Sequence, residues 1–413
     1  MSIQVLGSKN QLTSLQKQWA GLTFSGTAFL VAHFIGLLAA WPDHAWRWLG
    51  LAAAGGLWLS WLLWRSLSLN RAPDSDRLLP AIGPGTQLTL LRGLLLAALA
   101  GLLFSPRPPG WLAWLPGLYY TLAAIADLFD GYLARRSGQV TLLGERLDLS
   151  LDGVGVLVAA LLVVQYGQAP AWYLLVGLVR YLFVAWIWLR QRWGMRVYEL
   201  PSSATRRPFA GAQMGALAVL LWPVFTPPGT HLAAALFAMP FLIGFARDGL
   251  AVSGWTVPGR GARKAGSTDG IQTSLVSPST GPSWLRTLTH WLPLLLRLGV
   301  VLLLVARLST QIAADPSPAF LESRQGLALF SPAVATLLGF QLLGLVLIAF
   351  GAAGRLGALA VLFAAGFHQH LAGLDLVDLL LITGGTCLFF LGTGPLSLWK
   401  PEDRIIQKRL GET

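Results

Sequence analysis

Residues 127–152 read DLFDGYLARRSGQVTLLGERLDLSLD, which sets Asp127, Asp130, Asp148 and Asp152 around an Arg135-Arg136 pair. The surrounding chain is apolar: 54% of its residues are hydrophobic and only 12% are charged. Residues three, four and seven apart share a helix face. Asp127, Asp130, Gly131 and Ala134 therefore form one stripe and Gly144, Asp148, Asp152 and Gly155 a second, on two helices joined by a short loop. Such antiparallel neighbours can turn the stripes toward each other. Four carboxylates converging at membrane depth repel one another and need a cation among them. An all-oxygen set suits a hard ion such as Mg²⁺, Mn²⁺ or Ca²⁺, not zinc or copper. The small residues leave room for a bulky group against the backbone, and Arg135 stands where a guanidinium can pair with phosphate. Metal, space and arginine together are what phosphoryl transfer requires, because divalent ions neutralise phosphate oxygens and orient the attacking and leaving oxygens.

These side chains must be carried by membrane-spanning elements. In 413 residues with a mean hydropathy of +0.61, apolar runs of about 17 to 23 residues recur near 19–41, 47–65, 86–105, 113–133, 147–166, 171–190, 210–226, 231–250, 289–308, 329–350, 356–372 and 378–398. They predict an all-α polytopic membrane protein of about twelve transmembrane helices. The first run has no small-residue cleavage site and is followed at once by a second span, so it reads as an anchor rather than a removable signal. The single cysteine, Cys387, lies within a span and excludes a disulfide or thiolate metal site within one chain.

The formal net charge of +12 does not call for a nucleic-acid partner. With a cytoplasmic N-terminus, the alternation of spans puts Lys9, Lys17, Arg65, Arg71, Arg77, Arg135, Arg136, Arg146, the Arg190–Arg207 and 247–286 groups, Arg355 and the Lys400–Arg409 tail inside. Only Arg47, Arg107 and Arg324 stay outside. That bias is the positive-inside rule, and the same surface attracts anionic lipid head groups. It predicts an integral protein of a bacterial inner membrane, with both termini and the acid cluster on the cytoplasmic side.

Four blocks follow. Residues 1–78 hold two Trp-rich spans, 79–252 hold six spans and the acid cluster, 253–288 read as a flexible cytosolic linker rich in Gly, Ser, Thr and Pro, and 289–413 hold four spans and a basic tail.

The acid stretch resembles the signature of the CDP-alcohol phosphatidyltransferase family, D-x2-D-G-x2-A-R-x8-G-x3-D-x3-D. Asp127, Asp130, Gly131, Ala134, Arg135, Gly144, Asp148 and Asp152 meet every spacing. The resemblance covers about 79–252 and implies a six-helix core. It also implies a two-metal Mg²⁺ or Mn²⁺ site on the four aspartates, with Asp152 as general base. Gly131, Ala134 and Gly144 would make space for the cytidine nucleotide and Arg135 would hold its phosphates. The implied reaction displaces CMP from a CDP-linked lipid, expected to be CDP-diacylglycerol, as an alcohol takes over the phosphatidyl group. A membrane homodimer is implied as well. Upstream, TQLTLLRG is similar to the family's N-x2-T-x2-R pattern through Thr89 and Arg92, with Thr86 in place of Asn. Downstream, SSATRRPFAGAQ keeps Arg206, Arg207 and Gln213 of a basic stretch but not its Lys-Thr pattern.

Arg180, predicted near the middle of a span, and Arg206, Arg207 and Arg247 on the cytoplasmic side suggest an anion pocket for a phosphorylated acceptor such as glycerol 3-phosphate or inositol phosphate. The rival class is a twelve-span cation- or proton-coupled transporter using the same aspartates, though no repeat symmetry is visible. The last four spans, with LPLLLRLG and FFLGTGPLSLW, resemble the DoxX-like four-helix membrane family. There Arg297 lies within a span, Arg307 near a span end is expected to snorkel, and His368 and His370, two apart, point to different sides of their helix.

Overall fold

The computed structural model describes residues 2–200, 203, 206–255, 283–313, 332–392, 394 and 396–398. Within them run α1 (Ser2–Ala40), α2 (Pro42–Ser66), α3 (Pro84–Ala100), α4 (Leu115–Arg136), α5 (Leu142–Gln165) and α6 (Leu174–Arg192). These are followed by α7 (Arg206–Leu220), α8 (Gly229–Val252), α9 (Ser283–Ala313), α10 (Pro332–Phe350), α11 (Gly354–Ala372) and α12 (Leu376–Leu391). Each expected apolar run falls on one helix, and the chain is an all-α polytopic membrane protein. Lipid offers no partner for a free N–H or C=O, and a helix satisfies both internally. Among the described residues, seven stretches are long and apolar enough to cross a bilayer: Gln11–Ala40, Gly110–Arg136, Leu142–Gln165, Ala171–Arg192, Gly229–Val252, Trp291–Gln311 and Pro332–Phe350. The last expected run reached 398, but α12 stops at Leu391, where Gly392 turns the backbone to a positive φ of 78°. Most of the expected linker (256–282) and the basic tail lie outside the described residues.

The described chain divides into two compact units, Met1–Trp186 with Phe209–Phe245, and Ile187–Pro208 with Ala246–Thr413. In the first unit the hairpin of α1 and α2 packs on α3, and α3 packs along α4 and α5. The buried Trp48 indole donates to Ala98 O at 2.9 Å, joining α2 to α3. Gln18 on α1 accepts from Ile82 N at 2.9 Å and donates to Pro80 O at 3.1 Å, pinning the segment that leads into α3. At Gly85 the backbones of α3 and α4 come so close that a Cβ would stand 2.8 Å from both Ala134 Cβ and Asp130 O.

The turn between the two acidic helices is built from local signals. Gly138, at φ +66°, ends α4 in a Schellman arrangement, in which Gln139 N donates to Ala134 O and Gly138 N to Arg135 O. Thr141 then caps α5, its hydroxyl accepting from Gly144 N at 3.1 Å. These two caps set the register between the aspartates of α4 and those of α5.

In the second unit α9 to α12 form a four-helix bundle, each packed on the next and α12 on α9. Arg307 does not snorkel as expected. Its guanidinium is buried and forks onto Asp375 at 2.6 Å twice, with Asp378 at 2.7 Å. Asp378, with no exposed surface, also meets His368 Nδ1 at 2.9 Å. Burial would raise the Asp375 carboxyl, but hydrogen bonds from Arg307 and from the Asp378 amide outweigh it and hold it at about 2. Two opposed charges so near at hand neutralise the arginine better than a reach to the membrane surface would. Arg297, also buried, donates instead to the carbonyls of Ala349 and Leu396. His370 is exposed on another side of α11 from His368. Asp378→Ala should cost about 3–5 kcal/mol, the usual penalty for stranding a buried charge. Thermal melts of the detergent-solubilised protein check this, and an unchanged midpoint contradicts it.

Candidate active site

Three helices build the acid site. α3 presents Thr86, Thr89 and Arg92 on one face, α4 presents Asp127 and Asp130, and α5 presents Asp148 and Asp152. Asp127, Asp148 and Asp152 come together, with one oxygen from each lying within 4.8 Å of the others. At that spacing each pair repels by about 3 kcal/mol at an effective dielectric near 20, before solvent screening. What offsets the repulsion is Arg92. Its Nη1 pairs with Asp127 and with Asp148, the latter at 2.7 Å, and its Nη2 pairs with Asp152. The arginine is 2% exposed, whereas the three aspartate side chains are 29%, 44% and 38% exposed. The cluster is therefore open on the side away from Arg92.

Asp130 shares the α4 face but is placed differently. It is buried, and Thr89 Oγ1 donates to its Oδ2 at 2.9 Å. Among the expected nucleotide contacts, Gly144 faces Thr86, whose hydroxyl would stand 3.1 Å from a Cβ added there. Ala134 lies against Gly85, and the exposed Arg135 folds back over Gly131. Arg180 is half-buried beside α5 and donates to Leu149 O at 2.7 Å, next to Gly153. In the other unit Arg206 pairs with Asp248 through two hydrogen bonds, at 2.7 and 3.1 Å, and Arg247 donates to Ser203 at 2.8 Å. The side chain of Arg207 lies outside the described residues.

Beneath the acids is a polar layer that the spacing of the signature does not announce. Tyr120 is 2% exposed, and its hydroxyl, which has no partner, borders a cavity of about 10 Å³ shared with Arg92 and Asp152. Gln213 Nε2 donates to the buried Tyr173 hydroxyl at 2.5 Å. The central place of Arg92 had a signal in the sequence: it is the only charged residue of α3. A lone charge in an apolar span demands an opposite charge from another helix.

The donor set is that of a hard cation: carboxylate oxygens alone, already gathered around a positive group, on helices whose signature spacing is complete. Residues 85–245, which span α3 to the last turns of α8, match the family of CDP-alcohol phosphatidyltransferases. The CDP-diacylglycerol–glycerol-3-phosphate 3-phosphatidyltransferase of Cereibacter sphaeroides is 31% identical over 208 residues, 50% of this chain and 86% of that protein. The enzymes of the same name from Pectobacterium atrosepticum and Escherichia coli K12 are 41% and 37% identical over 81 residues. In both cases that is 20% of this chain, which spans under half (43%) of their length. No solved structure matches. The chain belongs to the CDP-alcohol phosphatidyltransferase family and is a membrane transferase of phospholipid biosynthesis.

Among the described residues, Thr89 is the one hydroxyl bonded to Asp130. Loss of such an outer hydrogen bond typically costs a metal site 10–100-fold in affinity or activity. Thr89→Val should therefore weaken divalent-metal affinity about 10-fold, and Thr89→Ser should restore it. Mn²⁺ titration followed by electron paramagnetic resonance reads both, and equal affinities in all three proteins would exclude the role.

Proposed function

We propose that the protein transfers a phosphatidyl group from CDP-diacylglycerol to glycerol 3-phosphate and releases CMP. The observation that carries the reading is the triad Asp127, Asp148 and Asp152, within 4.8 Å of one another, in a chain that meets the complete family signature. The names of the relatives support this donor and this acceptor.

Asp127, Asp130, Asp148 and Asp152 would hold Mg²⁺ or Mn²⁺, which when bound neutralises phosphate oxygens and favours in-line displacement. The protein's own residues do the rest. Asp152 is the general base: Arg92 takes one of its oxygens, and its partial exposure leaves the carboxylate within reach of an incoming hydroxyl. As the acceptor oxygen bonds to the phosphorus that carries the diacylglycerol, its proton passes to Asp152. The bond from that phosphorus to the CMP oxygen breaks, and CMP leaves with the electron pair. Gly131, Ala134 and Gly144, which carry little or no side chain, leave room for the nucleotide, and Arg135 pairs with its phosphates. Arg180, beside α5 at the level of the acids, receives the phosphate of the acceptor. The positive-inside pattern supports placing this site at the cytoplasmic rim of a bacterial inner membrane.

Purified protein given CDP-diacylglycerol, glycerol 3-phosphate and Mg²⁺ or Mn²⁺ should release CMP only when metal and acceptor are both present. Asp152→Asn should lower the rate at least about 100-fold, the scale of a lost general base. If no alcohol in a broad panel elicits CMP release, the reading fails. Arg180→Ala should raise the KM for glycerol 3-phosphate about 10-fold with little change in kcat, as loss of uniform binding does. An unchanged KM removes Arg180 from the acceptor site.

A further inference from the structure

We propose that Arg92 is a resident counter-cation forming the floor of the acid site. It holds one oxygen of each of three aspartates and stays in place when a divalent metal binds to the open side of the same carboxylates. The inference rests on the metal-dependent reading above and adds a positioning residue to it.

Three observations carry it. The first is which oxygens are used. Arg92 engages Oδ1 of Asp127, Oδ1 of Asp148 and Oδ1 of Asp152. None of the corresponding Oδ2 atoms is buried without a partner. Each carboxylate thus keeps part of its surface exposed, at 29%, 44% and 38%, while Arg92 holds its Oδ1.

The second is the gradient of exposure. The guanidinium is 2% exposed beneath carboxylates that are 29% to 44% exposed, so a metal arriving from the open side meets the aspartates before the arginine.

The third is the absence of a retreat. The cavity beside Arg92, at about 10 Å³, is room for no more than about one water molecule, and Asp152 is the only acid lining it. A displaced guanidinium would have to leave three charge-assisted hydrogen bonds for a wall of Leu96, Ala123 and Val156, with the Tyr120 hydroxyl as its one new partner. The planar fork matters too, because two Nη atoms reach three carboxylates from one position, which a single ammonium cannot reproduce.

Two effects oppose each other when Arg92 is removed. Simple attraction would let the more negative site bind metal more tightly. Loss of the floor lets three mutually repelling carboxylates splay, and they must be gathered again for every metal bound. The exposure gradient and the three shared oxygens favour the second effect, so Arg92 acts as an organiser and not as a competitor.

The test is Mn²⁺ binding, read by electron paramagnetic resonance without any turnover. Wild-type protein should bind Mn²⁺, and its failure to do so would sink the metal reading itself. Given wild-type binding, Arg92→Gln should bind Mn²⁺ at least about 10-fold more weakly, the scale of outer-shell losses, and Arg92→Lys should recover little. Tighter or unchanged binding in Arg92→Gln overturns the inference. Should that variant fail to fold, pulsed resonance of Mn²⁺ bound to ¹⁵N-arginine protein carrying Arg135→Lys decides. A guanidinium ¹⁵N coupling to the metal is expected, and its absence shows that the arginine has been displaced.

Discussion

A guanidinium shared by three carboxylates holds the acid site together. Arg92 on α3, Asp127 on α4 and Asp148 and Asp152 on α5 are contributed by three separate helices. None of these charges can be buried alone, since stranding one in an apolar medium costs several kcal/mol. The helices can share the arginine only if their backbones come close. That need accounts for the contact of Gly85 with Ala134 and for Gly144 facing Thr86, where a larger side chain would collide. Small residues, acids and arginine are thus parts of a single constraint.

The same constraint is met a second time in the C-terminal bundle. Arg307 forks onto Asp375 and touches the fully buried Asp378, which also holds His368. The two networks differ in what they leave over. Around Arg307 a histidine completes the coordination of the buried aspartate. Around Arg92 the carboxylates remain partly exposed on one side. A satisfied network holds a bundle together, whereas a partly satisfied acidic one can receive a cation and a phosphate.

The family match begins at α3, the first of the helices that build the site, and runs on into α8. The α1–α2 hairpin and α9 to α12 lie outside residues 85–245, yet the hairpin packs directly on α3 and donates the Trp48 hydrogen bond to its backbone. Because α3 carries Arg92, the added hairpin supports the helix that organises the acids.

Helix count and acid register were legible from the residues because both follow local rules. A bilayer forces long apolar helices, and the turn from Ser137 to Thr141 carries its own caps in Gly138 and Thr141. The offsets between the four aspartates likewise state which residues share a face. The role of Arg92 was not legible in the same way. As the lone charge of α3 it could be known to need an opposite charge, but nothing within α3 says which one. Arg307 went the other way: its place near a span end favoured snorkelling, and the carboxylates of Asp375 and Asp378 overruled it. The sequence by itself determined the apolar helices and the spacing of the acids along them, since each depends on neighbours along one helix. Only the tertiary structure decided which arginine lies under those acids, which of their oxygens it leaves open and which aspartate a threonine holds apart, because those pairings depend on how separate helices pack.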